Sequence, residues 1–331
     1  EVVRTEVEEG IRYIKPNLGA PTGFAPDGRP YYWSTVTAPA FTGASSQAAS
    51  LRNRDFGQDS TIAAPTSKGE GTQFTLSLQG ARSKTWNWNI GYTYTEATEV
   101  NTLTSSQAAS NWNNAIRVDR NADVAERSVY AIRDRFTANI SYRKAFIADL
   151  ITSVGVFYEG RSGKPFTFTF VNDMNGDGRS GVDPLYVPTA PGDVIFTGGA
   201  AMESAFFSYL DSNPDLAQYK GGIARVNGDS APWVNNIDLR LTQELPGLFG
   251  FGKGEVSLDI LNVGNLINKD WGQIKEVGFP GGFGVVRFAG IDPTTKKYRY
   301  DFRATDIRDL TLRDNRGESR WAMQVGVKFK F

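Results

Sequence analysis

Along much of the chain apolar and polar residues alternate with a period of two, the signature of a β-strand with two unlike faces. In the last such stretch Trp321, Met323, Val325, Val327, Phe329 and Phe331 fall on one side, and Ala322, Gln324, Gly326, Lys328 and Lys330 on the other. Trp86, Trp88, Ile90, Tyr92 and Tyr94 stand against Asn87, Asn89, Gly91, Thr93 and Thr95 in the same way, as do Phe74, Leu76 and Leu78 against Gln73, Thr75, Ser77 and Gln79. Three further stretches carry Phe136, Ala138, Ile140 and Tyr142; Ile237, Leu239 and Leu241; and Val256, Leu258 and Ile260, the last followed by Leu261, which departs from the rule. Eight spanning segments are predicted, near 1–14, 70–82, 85–96, 130–143, 150–160, 233–244, 253–271 and 321–331.

Alternation by itself suits a water-soluble sandwich as well as a membrane barrel. Three further features favour the barrel. The segments approach the roughly ten residues of a tilted bilayer-crossing strand, where a soluble strand has about five or six. Trp and Tyr gather toward the ends of the apolar faces, as in aromatic girdles. Short joins near Arg82 to Thr85, Lys144 to Asp149 and Pro246 to Gly252 alternate with long polar stretches at 15–66, 97–128, 160–231 and 272–320. With Phe331 on the periplasmic side, every short turn falls there and every long loop is extracellular. The expected fold is therefore all-β, a transmembrane antiparallel β-barrel with long extracellular loops. Val285 to Ile291 and Tyr298 to Phe302, joined by DPTTKK, are too short to span and read as a hairpin within a loop. Ala201 to Leu210 reads as a short loop helix with buried aromatics. Eight strands could close a small barrel, but the very long loops and abrupt start suit a larger barrel lacking its first strands.

Composition narrows the chemistry. Neither histidine nor cysteine is present, so no Ser-His-Asp or Cys-His nucleophile and no His- or Cys-ligated zinc site can be assembled, and no enzyme is expected. Lys plus Arg and Asp plus Glu are 36 each, so net charge predicts no nucleic-acid partner. The longest nearly apolar run, Ala145 to Tyr158, is interrupted by Asp149, Thr152 and Ser153 and is too short for a spanning helix. The first ten residues lack the features of a signal peptide, which implies that one was removed or that the chain starts within a longer protein.

Asp173, Asn175 and Asp177, followed by Gly178, match the first half of a D-x-N-x-D-G calcium loop, in which oxygens at alternate positions face one hard cation. The acid at position twelve is replaced by Pro184; Asp183 or Asp193 would serve only with a different loop geometry. The alternative is an Asx-rich turn satisfied by its own backbone. Arg143, Glu159, Asp238, Arg240, Asp259, Lys328 and Lys330 are predicted to face the lumen, as a hydrated wall with internal ion pairs or as contacts to a plug or substrate. Tyr31, Tyr32, Trp33, Trp112, Phe206, Phe207, Tyr209 and Trp233 lie in loops, either packing the loops together or meeting a ligand.

The terminal QVGVKFKF resembles the β-signal of outer-membrane proteins, with Gln324, Gly326, Phe329 and Phe331 at its recognised positions. That resemblance implies the barrel-assembly machinery as a partner. LDILNVGNLINKDWG (258–272) looks like the strand near the C-terminus of TonB-dependent receptors. Together with YEGRSGKPFTFTF (158–170), DMNGDG and PLYVP (173–188), and YKGGIARVNGDSAPWVNNIDL (219–239), it resembles the Oar-like branch of that family from about residue 130 onward. The resemblance implies a 22-stranded barrel, of which this chain is the C-terminal part, in the outer membrane. It also implies an N-terminal plug and a TonB box coupled to the inner-membrane TonB complex, neither of which is visible in the sequence. The expected activity is uptake of an unidentified solute. A passive porin-like channel and a surface adhesion or structural barrel are the alternatives.

Overall fold

The structure, a computed structural model, describes residues 1–331 except 39, 44–49, 57–59, 81–82, 249–250, 308, 314–317 and 331, together with the side chains of 248, 251 and 330. Arg82, the tip of the 246–252 turn and Phe331 therefore lie outside the described residues.

The alternating segments form one antiparallel meander. Its strands are β1 (Val2–Glu6), β2 (Gly69–Gln79), β3 (Trp86–Glu99), β4 (Asp134–Ile147), β5 (Leu150–Arg161), β6 (Val234–Leu248), β7 (Phe251–Leu261) and β8 (Ala322–Lys330), each bonded to the next in chain order. The two-residue strand Glu126–Arg127 adds to the end of β3. The short connections β2–β3, β4–β5 and β6–β7 leave each strand no route except back along its predecessor, and the long loops return the chain beside the preceding strand in the other four pairs. Among the described residues, the two-residue connection from β4 to β5 runs through Ala148 and Asp149, with Ala148 in the left-handed region at φ 47°, a conformation such hairpins use. The sheet is open: among the described residues β1 and β8 form its two edges and do not pair with each other.

Several boundaries differ from the sequence expectation, three of them with a clear local cause. The first segment, predicted as one strand over 1–14, breaks after Glu6. Gly10–Ile14 leaves the main sheet and pairs with Ile62–Thr66. The segment predicted over 253–271 stops at Leu261. Asn262, at φ 52°, caps the short helix Val263–Ile267 and takes the amide of Asn265 at 3.3 Å. Its Nδ2 donates to Gly272 O at 3.0 Å, and Asn265 Nδ2 donates to Lys269 O and Trp271 O at 2.8 and 3.0 Å. The asparagines of NVGNLINKDWG thus build a turn, because Asn tolerates the left-handed region and bonds nearby backbone. The predicted turn at 144–149 narrows to two residues, since β4 continues to Ile147.

The long loops hold more structure than their polar composition implied. Pro165–Phe170 is buried at every residue. It runs parallel to Gly282–Ile291 and antiparallel to Asp229–Ser230. Gly282–Ile291 pairs with Tyr298–Asp301, the hairpin anticipated within a loop, and Ile195–Phe196 extends the sheet. The helix Gly199–Asp211 sends Phe206 and Leu210, one turn apart, into the same core. Phe168, Phe170, Val285, Phe288, Tyr298 and Tyr300 fill it, with rings such as Phe170 and Tyr300 meeting edge-on at 5.6 Å. Residues from the 15–66, 160–231 and 272–320 stretches share this core, so the loops fold together.

Candidate functional site

Register carries the alternation of single strands across the meander. Trp88, Ile140, Val156, Leu239, Ile260 and Met323 form one row from β3 to β8. Trp86, Tyr142, Val154, Leu241, Leu258 and Val325 form the next. This apolar face is uncovered: Val325 is 69%, Leu78 57% and Trp86 53% exposed. A sheet in a water-soluble sandwich would bury such a face against a second layer.

Aromatic rings gather in two bands on the face. One runs Phe74, Tyr92, Phe136 and Trp233, with successive centroids 6.4, 4.6 and 6.1 Å apart. The other joins Trp86 to Tyr142 at 4.7 Å and Tyr142 to Phe146 at 6.3 Å. Between them lie Trp88, Ile90, Ala138 and Ile140.

The opposite face is polar. Arg135 pairs with Glu159 at 2.7 Å and Arg240 with Asp259 at 3.2 Å, while Asp238 accepts from the Asn262 amide at 2.8 Å. Arg143 and Lys328 stand on this face by register, opposite Ser153 and Glu255. Of the charges assigned to one face from sequence, Arg143, Glu159, Asp238, Arg240, Asp259 and Lys328 share the polar face, and Glu159, Arg240 and Asp259 make ion pairs there; the side chain of Lys330 lies outside the described residues.

In the acidic loop, Asp173 accepts from the Gly176 and Gly178 amides at 2.7 and 2.9 Å, and Asn175 Oδ1 accepts from the Asp177 amide at 3.0 Å. Asp177, buried, is met by the guanidinium of Arg120, whose Nε lies 2.7 Å from Asp177 Oδ2. Asp183 Oδ2 accepts from the Met174 amide at 2.8 Å. Burial, then the charge of Asp183, pushes the Asp173 carboxyl up to about 7; burial also raises that of Asp183. Burial lowers the Arg120 guanidinium to about 10. Among the described residues no three acidic groups are placed to hold a metal. The side-chain oxygens of Asp173 and Asn175, considered above for calcium, accept from the turn's own amides. The loop is built as an Asx turn, and its buried negative charge is met by an arginine.

Arg120 was invisible as a site residue, since nothing in RVDRNADVAER marks it. It lies over the fully buried Trp112 ring at 4.3 Å, and Lys15 lies over the same ring at 4.2 Å. Of the loop aromatics, Tyr32, Trp33, Trp112 and Phe206 are buried, and Tyr31, Phe207 and Tyr209 pack against the core. Trp233 alone among these eight is strongly exposed, at 43%.

Gln324, Gly326 and Phe329, three of the positions that resemble an assembly signal, lie on β8, and Phe331 lies outside the described residues. Gln324 lies opposite Asp259 and Gly326 opposite Ser257, where a Cβ would come within 2.7 Å of Ser257 Oγ. Phe329 lies opposite Gly254, which leaves room for its ring. No protein-family model, no curated protein and no solved structure matches the chain.

Proposed function

We propose, first, that the meander is part of the wall of a transmembrane β-barrel. The observation that carries this reading is the uncovered apolar face bounded by two aromatic bands. Tyr92 and Phe136 lie six residues along their strands from Trp86 and Tyr142, roughly 20 Å at ~3.3 Å per residue. An outer-membrane barrel presents an apolar belt about 25 Å tall between aromatic girdles. Leaving such a face in water would be costly and would invite aggregation, whereas lipid covers it without a second protein layer. The polar opposite face, with its ion pairs, suits a hydrated lumen. Further strands at the β1 and β8 edges would complete the wall, since open edges do not occur in hydrocarbon.

The particular protein is, on this proposal, a TonB-dependent receptor of the Oar-like branch, which takes up a solute across the bacterial outer membrane. Support comes from the ordered motifs from residue 130 onward and from the β-signal on β8. Its partners are the outer-membrane bilayer, the barrel-assembly machinery, the TonB complex and the solute.

Two measurements test the two steps. Nitroxide labels at Ile140, Asn139, Val325 and Gln324, introduced through cysteines that the 331-residue sequence itself lacks, would be compared for collision with oxygen and with a water-soluble nickel chelate in outer-membrane vesicles. High oxygen and low nickel access at Ile140 and Val325 only is expected; equal nickel access at all four sites would sink the barrel. Intact mass and N-terminal sequence of the protein from isolated outer membranes address the second step. A plug and TonB box preceding Glu1 are expected, and a mature chain beginning near Glu1 removes the receptor reading while leaving a barrel.

A further inference from the structure

Three extracellular loops of the proposed barrel converge on a cavity of about 260 Å³ beside the far end of β3. The 100–133 loop contributes Thr102, Thr104, Arg117 and Tyr130, the 162–233 loop Lys164, and the 262–321 loop Phe279. Its lining includes two cations and no carboxylate. Tyr130 and Phe279, at 61% and 64% exposed, are large aromatic side chains that the loop core leaves in the open.

Arg117 is the unusual member. It is 7% exposed, and its guanidinium donates to main-chain carbonyls only: Ile116 O at 2.7 Å, and Glu99 O and Val100 O at 3.0 Å each. Its Nε has no partner among the described residues. Glu126 and Glu99 act on it through space, but neither makes an ion pair with it among the described residues and neither lines the cavity. The other two deeply buried arginines among the described residues differ. Arg29 is paired with Asp27 and Arg120 with Asp177. Keeping a buried cation without a contacting anion is unfavourable, so a structure that retains one beside a cavity gains from an anion placed there. Lys164, half-buried at the same cavity, has no side-chain partner among the described residues and is free to reach such an anion.

We infer that this cavity binds the carboxylate of a small organic anion, with Lys164 in contact, Arg117 supplying charge from the wall, and Tyr130 and Phe279 flanking the apolar body of the ligand. The threonine hydroxyls of Thr102 and Thr104 suit the remaining carboxylate lone pairs. The volume lies just below the ~300 Å³ at which drug-sized pockets begin, so the cavity takes a small molecule or one acidic end of a larger one. That the cavity captures a transported solute rests on the receptor reading; that it binds a carboxylate does not.

The test uses the full-length protein solubilised from outer membranes, titrated with 4-(trifluoromethyl)benzoate and, separately, its neutral isostere 4-(trifluoromethyl)benzamide, with fluorine NMR as readout. Saturable binding of the benzoate is expected, with the amide at least about tenfold weaker and Lys164→Gln lowering benzoate affinity about tenfold. Lys164→Arg should retain most of the affinity. Arg117→Gln strips a cap from three carbonyls and can fail to fold, so Lys164→Gln, at a half-buried side chain without partners, is the deciding variant. Equal affinity for acid and amide, benzoate binding unchanged by Lys164→Gln, or no benzoate binding up to about 10 mM would each overturn the inference. The spin-label result is independent of all of these, so the carboxylate site and the barrel can fail separately.

Discussion

Ile140 and Asn139 are adjacent on β4 and point to opposite faces of the sheet, so placing arginine at each in turn delivers the same charge to two different surroundings. Ile140 is 45% exposed and sits between Trp88 and Val156 in the apolar rows. It lies two residues from Tyr142 in one aromatic band and four from Phe136 in the other, hence roughly 7 Å inside the nearer band at ~3.3 Å per residue. On the lipid face of a barrel, arginine costs about 2–4 kcal/mol at the midplane and about 0–1 at the interfaces. At this depth Ile140→Arg should cost about 2–3 kcal/mol, a shift of roughly thirty- to 150-fold in the unfolding constant. Asn139→Arg, on the polar face, should stay within about 0.5 kcal/mol. Urea unfolding of the protein in phosphatidylcholine vesicles, followed by tryptophan fluorescence, measures both. If Ile140→Arg costs no more than Asn139→Arg, the apolar face meets water and the argument from the aromatic bands collapses.

Arg120→Gln should loosen the loop unit by about 3–5 kcal/mol, because Asp177 stays buried without its counter-charge; hydrogen exchange at Trp112 and residues 173–183 should quicken while the meander stays protected, and unchanged exchange would count against the buried pair. Asp173 holds its proton in the folded state up to about pH 7 but only to about 3.9 when unfolded. Its contribution to stability is therefore complete below about pH 4 and is lost as pH rises toward 7. Amides of residues 173–183 should lose protection between pH 5 and 7.5 beyond the intrinsic rate change, and Asp173→Asn should flatten that dependence. Gly272→Ala puts a Cβ into the Asn262 side chain at φ 62°; a loss of about 1–2 kcal/mol, read as faster proteolysis near residues 262–272, is expected, with unaltered cleavage refuting the clamp.

The meander strands were legible because their signal is local: a period of two needs only neighbouring residues, and a two-residue turn such as Ala148–Asp149 fixes the next strand antiparallel. The loop helix and the hairpin at 282–301 were legible for the same reason. PFTFTF shows where this fails. Its threonines alternate with phenylalanines, yet Thr167 and Thr169 are as fully buried as Phe170. Thr167 Oγ1 accepts from the Asn227 amide at 2.8 Å, a partner 60 residues away. Likewise Leu261 announced a break in alternation, but only the Asn262 and Asn265 hydrogen bonds reveal a helix where a longer strand was expected.

The acidic loop divides the same way. DMNGDG encodes its own turn, because Asp173 and Asn175 bond amides within five residues of themselves. Which cation meets that charge was decided by Arg120, more than fifty residues earlier in the chain. Arg117 and Lys164 likewise face one cavity only because three loops pack together. The sequence by itself determined the period and order of the strands, since alternation and short turns depend on residues a few positions apart. Only the tertiary structure decided which charges are paired, which are left alone and which aromatics are buried, because those outcomes depend on contacts between segments that no local pattern relates.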